Sequence, residues 1–362
     1  MALASKVSLQ RGLILSIGIS IVSILLILAL SRDDFEVESL KRVKIEYLLL
    51  GLVVIVGAWA TKVLRLYLLC KSLGYPMGYR RVFDIYMSAV FVSHVTPFTF
   101  GGLPLQIYLM HKEGMPVGRS SAVGVVDSAL TSCLLVVLGP VLLYLWKREY
   151  SLSPQVDRLV DVSIAIMVAV AVAFVLLIAR PELPVRFLRR LASIRGFRRL
   201  FTPQRIEKAI NYLLRETKQF AEAVKDMFGR SRLGFILAII CTLVYWVLYL
   251  AVAPVTMVGL GVRVPIVRTL LAQIVFNIVQ PFIPTPGGSG GSEIGFAFLF
   301  QSVVPKARLP LFVSTWRFFT YYASLAVGGL LFYKAVGLNV LMAAANGKRE
   351  AGCGHNGGNG DK

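Results

Sequence analysis

The chain has 362 residues, of which 56% are apolar; its mean hydropathy is +0.71 and its formal net charge +20. A soluble domain with an ordinary charged exterior cannot bury that much apolar surface, so the soluble classes are excluded. The positive charge then speaks of loop topology and anionic headgroups rather than of nucleic acid.

In chain order, the first apolar run is Gly12–Leu30. It follows Lys6 and Arg11, is long for a signal-peptide core and lacks a small-residue cleavage site, so it reads as a retained anchor. Tyr47–Thr61 is the second span, and Lys62 and Arg65 at its end read as snorkelling to the inner headgroups. Val82–Val95 is short for a span and runs into Thr96-Pro97-Phe98-Thr99-Phe100-Gly101-Gly102-Leu103-Pro104. Val123–Trp146 and Val162–Ile178 follow as spans, with Tyr144, Trp146 and Tyr150 as an outer aromatic belt.

The polar stretch Ala179–Arg232 carries 14 Lys/Arg against 5 Asp/Glu and is therefore placed in the cytoplasm. Inside it, Ile206, Ile210, Leu213, Leu214, Phe220 and Val224 recur at helical spacing. That pattern predicts an amphipathic helix, lying either on the inner leaflet or under the bundle. Leu233–Val252 is the next span. Ala272–Ile283 leads into Pro284-Thr285-Pro286-Gly287-Gly288-Ser289-Gly290-Gly291-Ser292-Glu293, and after Ile294–Val304 the last span is Leu309–Phe332. No run alternates polar and apolar positions as a β-barrel strand does. Residues 1–344 thus read as one membrane domain, and the Gly/Asn-rich Ala345–Lys362 as a disordered tail.

Loop charge fixes a topology. Lys62, Arg65, Lys71, Arg80 and Arg81 follow one another without an acid and lie inside. Ser31–Glu46 and Lys147–Asp161 carry no net positive charge and lie outside. The segment Val82–Arg119 must start and end inside, which predicts a re-entrant hairpin with the Pro97–Pro104 turn at its tip. The same parity predicts a second hairpin around Pro284–Glu293, entering from outside. Arg263, Arg268, Lys306 and Arg308 then fall on the outer side, against the charge rule. Pro284 lies 187 positions after Pro97 (284 − 97), and Pro310 lies as far after Val123. Span, hairpin, span therefore occurs twice in opposite orientations, the pattern of an inverted-topology repeat. The predicted fold is an all-α polytopic membrane protein with about six full spans and two Pro/Gly-broken hairpins.

Paired Gly/Pro interruptions at matching places mark a substrate site built from broken helices. Ionisable residues at membrane depth are the other signal. Asp127 is the fifth residue of its span, Glu293 ends the second glycine cluster, and Arg317 sits inside Leu309–Phe332. Glu293 and Arg317 are expected to pair, either to hold the fold or with Arg317 turned to a lipid phosphate. His94 and Gln280 precede the two breaks and are read as partners for freed backbone. The four cysteines, Cys70, Cys133, Cys241 and Cys353, are too scattered for a disulfide framework or a zinc site.

Gly287-Gly288-Ser289-Gly290 matches the G-x-S-G string of rhomboid-type intramembrane proteases, yet the only histidine after Ser289 is His355 in the tail. A nucleophile without a base argues against that reading. There is no H-E-x-x-H, no Walker lysine and no C-x-x-C, so a non-enzyme without a cofactor is expected.

The run Pro286 to Glu293, followed by Trp316-Arg317-Phe318-Phe319-Thr320-Tyr321-Tyr322 and Gly328-Gly329, resembles the flippase-like transmembrane family that includes the membrane region of lysylphosphatidylglycerol synthase. Pro97, Gly101, Gly102 and Pro104, with Tyr108 after them, are similar to the family's first-half P-x-x-x-G-G-E-P element. Leu103 stands where relatives often carry Glu, Gln106 where they often carry Arg, and Ser128 follows Asp127 where Arg is common. No aminoacyl-transferase sequence accompanies the likeness, so lipid aminoacylation is not implied. The resemblance implies movement of a polar or anionic lipid between the leaflets of the cell membrane. Its substrate contacts would be Gly101, Gly102, Gln106, Tyr108, Asp127, Gly287, Gly288, Ser289, Gly290, Gly291, Glu293, Arg317 and Tyr321. Membrane lipids are the expected partners, with an enzyme of lipid synthesis as a further candidate; the alternatives are a lipid-modifying or proteolytic enzyme and a non-transporting scaffold.

Overall fold

The computed structural model describes residues 44–149, 203–229 and 231–334, most of 14–29, and scattered positions between 158 and 186. The span at Val162–Ile178, the first part of the 179–232 segment and the tail therefore fall largely outside the described residues. Those described are helical, apart from turns and one isolated backbone bridge. After a helical stretch Ile17–Leu26 come α1 (Ile45–Ser72), α2 (Tyr79–Val95), α3 (Gly102–Lys112) and α4 (Val117–Glu149). Helix α5 (Pro203–Gly229) leads to α6 (Arg232–Gly259), α7 (Ile266–Val279), α8 (Gly291–Phe300), α9 (Leu309–Arg317) and α10 (Ala323–Phe332).

Helices α1 and α6 have 28 residues each, about 42 Å at 1.5 Å per residue, and are long and apolar enough to cross a bilayer. They pack against each other, and their outer faces leave Val53, Leu49, Leu233 and Val247 exposed. Apolar faces of that length on a bundle exterior suit lipid rather than water.

Each Pro-Gly cluster ends one helix and starts the next. Thr96, before Pro97, is held extended at φ −112°, ψ 144°, which stops α2. Its Oγ1 donates to Val92 O and accepts the Gly101 amide at 3.0 Å, so the turn caps itself. Helix α3 then folds back on α2 so closely that a Cβ on Gly102 would stand 1.9 Å from Ser93 Oγ and 2.8 Å from Ala89 O. In the second half α7 ends in a 3-10 turn, Gln280–Phe282, ahead of Pro284 and Pro286. Gly287, Gly288 and Gly290 all take positive φ there, and α8 begins at Gly291.

The packing between halves is reciprocal. Helix α2 lies on α10, and α7 lies on α4, so the first hairpin arm of each half rests on the last helix of the other. Gly328 makes the α10 contact by bringing its Cα within reach of the Met87 carbonyl; a Cβ there would lie 2.4 Å from that oxygen. Leu135 of α4 and Ile274 and Ile278 of α7 form the corresponding cluster, joined by Trp246 of α6. Phe276, Phe296, Phe300, Phe312 and Trp316 fill the centre of the second half, with Phe296 and Trp316 stacked at 3.8 Å.

The structure decides between two readings of the amphipathic helix: it is α5, and it packs under the bundle through Phe220, Ala223, Val224 and Met227. Its contact with α4 is tight, because the Gly118 amide donates to Glu216 at 2.6 Å. The last span is not a uniform helix: a π-helical turn, Phe318–Tyr322, separates α9 from α10 immediately after Arg317. Arg308, on the wrong side for the charge rule, donates to the carbonyls of Leu260 and Gly261 at 2.9 and 2.6 Å, capping the end of α6.

Candidate functional site

The two Pro-Gly tips meet. Pro97 and Pro286 form an antiparallel backbone bridge, which brings the two interruptions to one point between the halves. Gly287, next to the bridge, is tightly enclosed. It has φ +59°, and a Cβ there would lie 2.6 Å from His94 O and 2.5 Å from the Tyr321 ring.

Around the second tip the side chains form one closed network. Arg317 Nε donates to Glu293 Oε1 at 2.8 Å, with the two residues 1% and 0% exposed. Arg317 NH2 donates to Gly287 O at 3.0 Å and to Ser289 Oγ at 3.4 Å, and its guanidinium lies over the Tyr321 ring at 4.0 Å. Glu293 Oε2 accepts the Gly290 amide at 2.7 Å, capping α8. Ser20 donates to Glu293 Oε1, and Tyr322 Oη donates to Ser20 Oγ at 2.6 Å, which ties in the N-terminal stretch. The π turn sets this up by directing Tyr321 under Arg317 and Tyr322 toward Ser20. The expected Glu293–Arg317 pair is thus formed, and the guanidinium is taken up by protein groups.

The tip amides are also occupied. Gly288 N bonds Thr285 O, Ser289 N bonds Pro286 O, and in the first tip Gly101 N bonds Thr96. Ser289 is wholly buried, and His94 Nε2 pairs with Ser324 Oγ at 2.8 Å rather than with Ser289 or the freed backbone. Ser292 Oγ is buried without a partner.

A second cluster lies in the first half. Arg65 Nε donates to Asp127 Oδ1 at 2.7 Å, NH1 to Thr242 Oγ1 at 2.9 Å, and NH2 to Asp127 O and Thr131 Oγ1 at 2.8 and 2.7 Å. Lys62 Nζ donates to Thr131, stands 3.4 Å from Asp127 Oδ2 and lies 5.3 Å above the Tyr245 ring. Lys62 and Arg65 therefore do not snorkel. Both are buried, because Asp127 on the facing helix offers a cheaper partner than a long reach to the headgroups. In the sequence, the signals for this cluster are an acid deep in an apolar run that needs a counter-charge, and two cations at i and i+3 on one helix face.

Of the other predicted contacts, Gln106 is buried with Nε2 unpartnered, close to Gly124 of α4. Tyr108 is not brought in: it is exposed, with Lys112 over its ring. Gly101 and Gly291 serve the tips as close-packing positions against Thr96 and Ile283. Among the described residues no group of His, Cys, Asp and Glu is arranged to hold a metal.

No solved structure matches the chain. A "UPF0104 membrane protein" of Archaeoglobus fulgidus is 26% identical over 327 residues, covering 88% of this chain and 94% of that protein. The family model for the lysylphosphatidylglycerol synthase TM region matches residues 13–328, which contain both tips and both charge clusters. The chain is a membrane protein and belongs to the lysylphosphatidylglycerol synthase TM-region family.

Proposed function

We propose that this protein carries an anionic lipid headgroup between bilayer leaflets, as a transporter and not an enzyme. The observation that carries the reading is the meeting of the two broken-helix tips at the Pro97–Pro286 bridge, flanked by buried charge in each half. Two interrupted helices that touch at one point close a path between them, and they open it when they part. Reciprocal packing of the halves supports an inverted-topology repeat, in which both tips are re-entrant and one half rocks against the other.

The Glu293–Arg317 network acts in this account as the latch of the second tip, preserving its shape while the contact to the first tip breaks. A buried ion pair with all its neighbours satisfied suits that task. The exposed, stacked Phe98 and Phe100 of the first tip present an apolar surface to the lipid tail. The direct test is reconstitution of the purified chain into vesicles with a labelled anionic phospholipid in one leaflet. The reading expects chain-dependent equilibration between leaflets, faster than in protein-free vesicles. Equal rates with and without the chain would exclude it.

A further inference from the structure

The charge of the first cluster does not close. Lys62 and Arg65 bring two cations, and Asp127 one anion. Arg65, wholly buried, spends Nε, NH1 and NH2 on Asp127, Thr131 and Thr242, so it neutralises Asp127 with good geometry by itself. Lys62 is the surplus. Its bonds go to a hydroxyl and, at longer range, to the outer carboxylate oxygen. The Tyr245 ring under it softens the charge without cancelling it. Of the acids in the apolar runs, Glu293 is consumed by Arg317, and Asp84 near the start of α2 makes no ion pair with Lys62. An ammonium that must share its only carboxylate with a better-placed guanidinium is expensive at this depth, and such a residue marks a place where a ligand adds negative charge.

A second, independent observation points the same way. Gln106, 7% exposed, has a buried Nε2 with no acceptor. That amide lies 4.0 Å from where a Cβ of Gly124 would be, and Gly124 shares a face of α4 with Asp127 and Thr131. One side of the bundle thus holds a surplus cation and an unfilled donor, and what fits both is an acceptor-rich anion.

We infer that Lys62, with Gln106 Nε2 as second donor, is the binding site for a phosphate oxyanion. The Lys62 site, rather than Arg317, would then contact the lipid phosphate. This deepens the transport reading and rests on it for the lipid as the source of the phosphate; a free phosphate shares the chemistry. Asp127 and Arg65 are positioning residues that hold Lys62 in place.

The test uses thermal melting of the full chain in detergent with dioctanoyl phosphatidic acid, dioctanoylglycerol or inorganic phosphate. Phosphatidic acid should raise the melting temperature of the wild type and of Lys62→Arg. Lys62→Gln should weaken its apparent affinity at least about tenfold, the scale of one lost charge-assisted bond. Without ligand, Lys62→Gln should melt no lower than wild type, because Asp127 keeps Arg65. Gln106→Leu should weaken binding by a smaller factor, also without loss of fold. A Lys62-dependent shift with inorganic phosphate alone would support the oxyanion site and name the free anion as its source. Equal shifts from dioctanoylglycerol, undiminished binding by Lys62→Gln, or a Lys62→Gln chain that melts far lower would each overturn the site. Lys62-dependent binding by a chain that moves no lipid would refute the transport reading and keep the site. Lipid transport untouched by Lys62→Gln would do the reverse.

Discussion

The two tips solve one problem in different ways. The second uses glycine wherever φ is positive, buries Ser289 completely and is bound by Arg317 and Glu293. The first puts Phe98 and Thr99, at φ 53° and 57°, in the left-handed region that side chains resist, and leaves Phe100 75% exposed. Gln106 and Glu293 are separated by the repeat distance of 187 positions (293 − 106), yet only the second has a charged partner. One tip is locked and the other is strained and loosely held. An opening at the Pro97–Pro286 contact would therefore move the first tip and spare the second.

The largest effects should come from breaking the lock. Arg317→Gln strands the Glu293 carboxylate and should cost about 3–5 kcal/mol of stability, read as a lowered melting temperature in detergent. Glu293→Gln should cost a similar amount, and the double variant should cost less than the sum, with coupling above about 0.5 kcal/mol. Strict additivity would mean that the pair contributes nothing as a pair. Next comes Gly287→Ala, which adds left-handed strain and a Cβ 2.6 Å from the His94 carbonyl; about 2–4 kcal/mol is expected. Gly101→Ala in the first tip meets side-chain atoms of Thr96 and Val92 and should cost less, about 1–3 kcal/mol. A first tip as sensitive as the second would erase the contrast.

Repeat-equivalent positions should even differ in sign. Gln106→Leu removes a buried donor without a partner and should stabilise the chain by about 1 kcal/mol, where loss of the Glu293 carboxylate destabilises it. The smallest effect is Thr99→Gly, which releases left-handed strain and should raise stability by up to about 1 kcal/mol while lowering the transport rate if that strain helps the tip to part. Melting curves beside vesicle assays separate the two readouts.

Much of this was legible in the sequence for physical reasons. Proline and glycine clusters dictate broken helices, so both tips appear where the residues demand, and an acid such as Glu293 beside a buried glycine turn calls for a cation. What stayed hidden depended on which helix lies opposite which. Lys62 and Arg65 look like interfacial snorkels until α4 is seen to face them with Asp127. Tyr108 shares a motif with Gln106, yet two residues along a helix turn a side chain to another face, and it points out. The π turn after Arg317 carries no proline or glycine, so nothing local announces it; it arises where Tyr321 and Tyr322 satisfy two different partners. The inward placement of α5 was one of two readings its amphipathic pattern allowed, and Gly118 with Glu216 decided between them.

The central claim is that the tips must part for lipid to cross. The backbone bridge holds residues 97 and 286 at a separation that a disulfide between them can span. With the native cysteines replaced, Pro97→Cys with Pro286→Cys should therefore cross-link under mild oxidation. Lipid equilibration in reconstituted vesicles is then measured before oxidation, after it, and after reduction. The account predicts transport in the reduced protein, its loss on cross-linking and its recovery with reductant, with each single-cysteine variant indifferent to the treatment. Undiminished transport by fully cross-linked protein would contradict it.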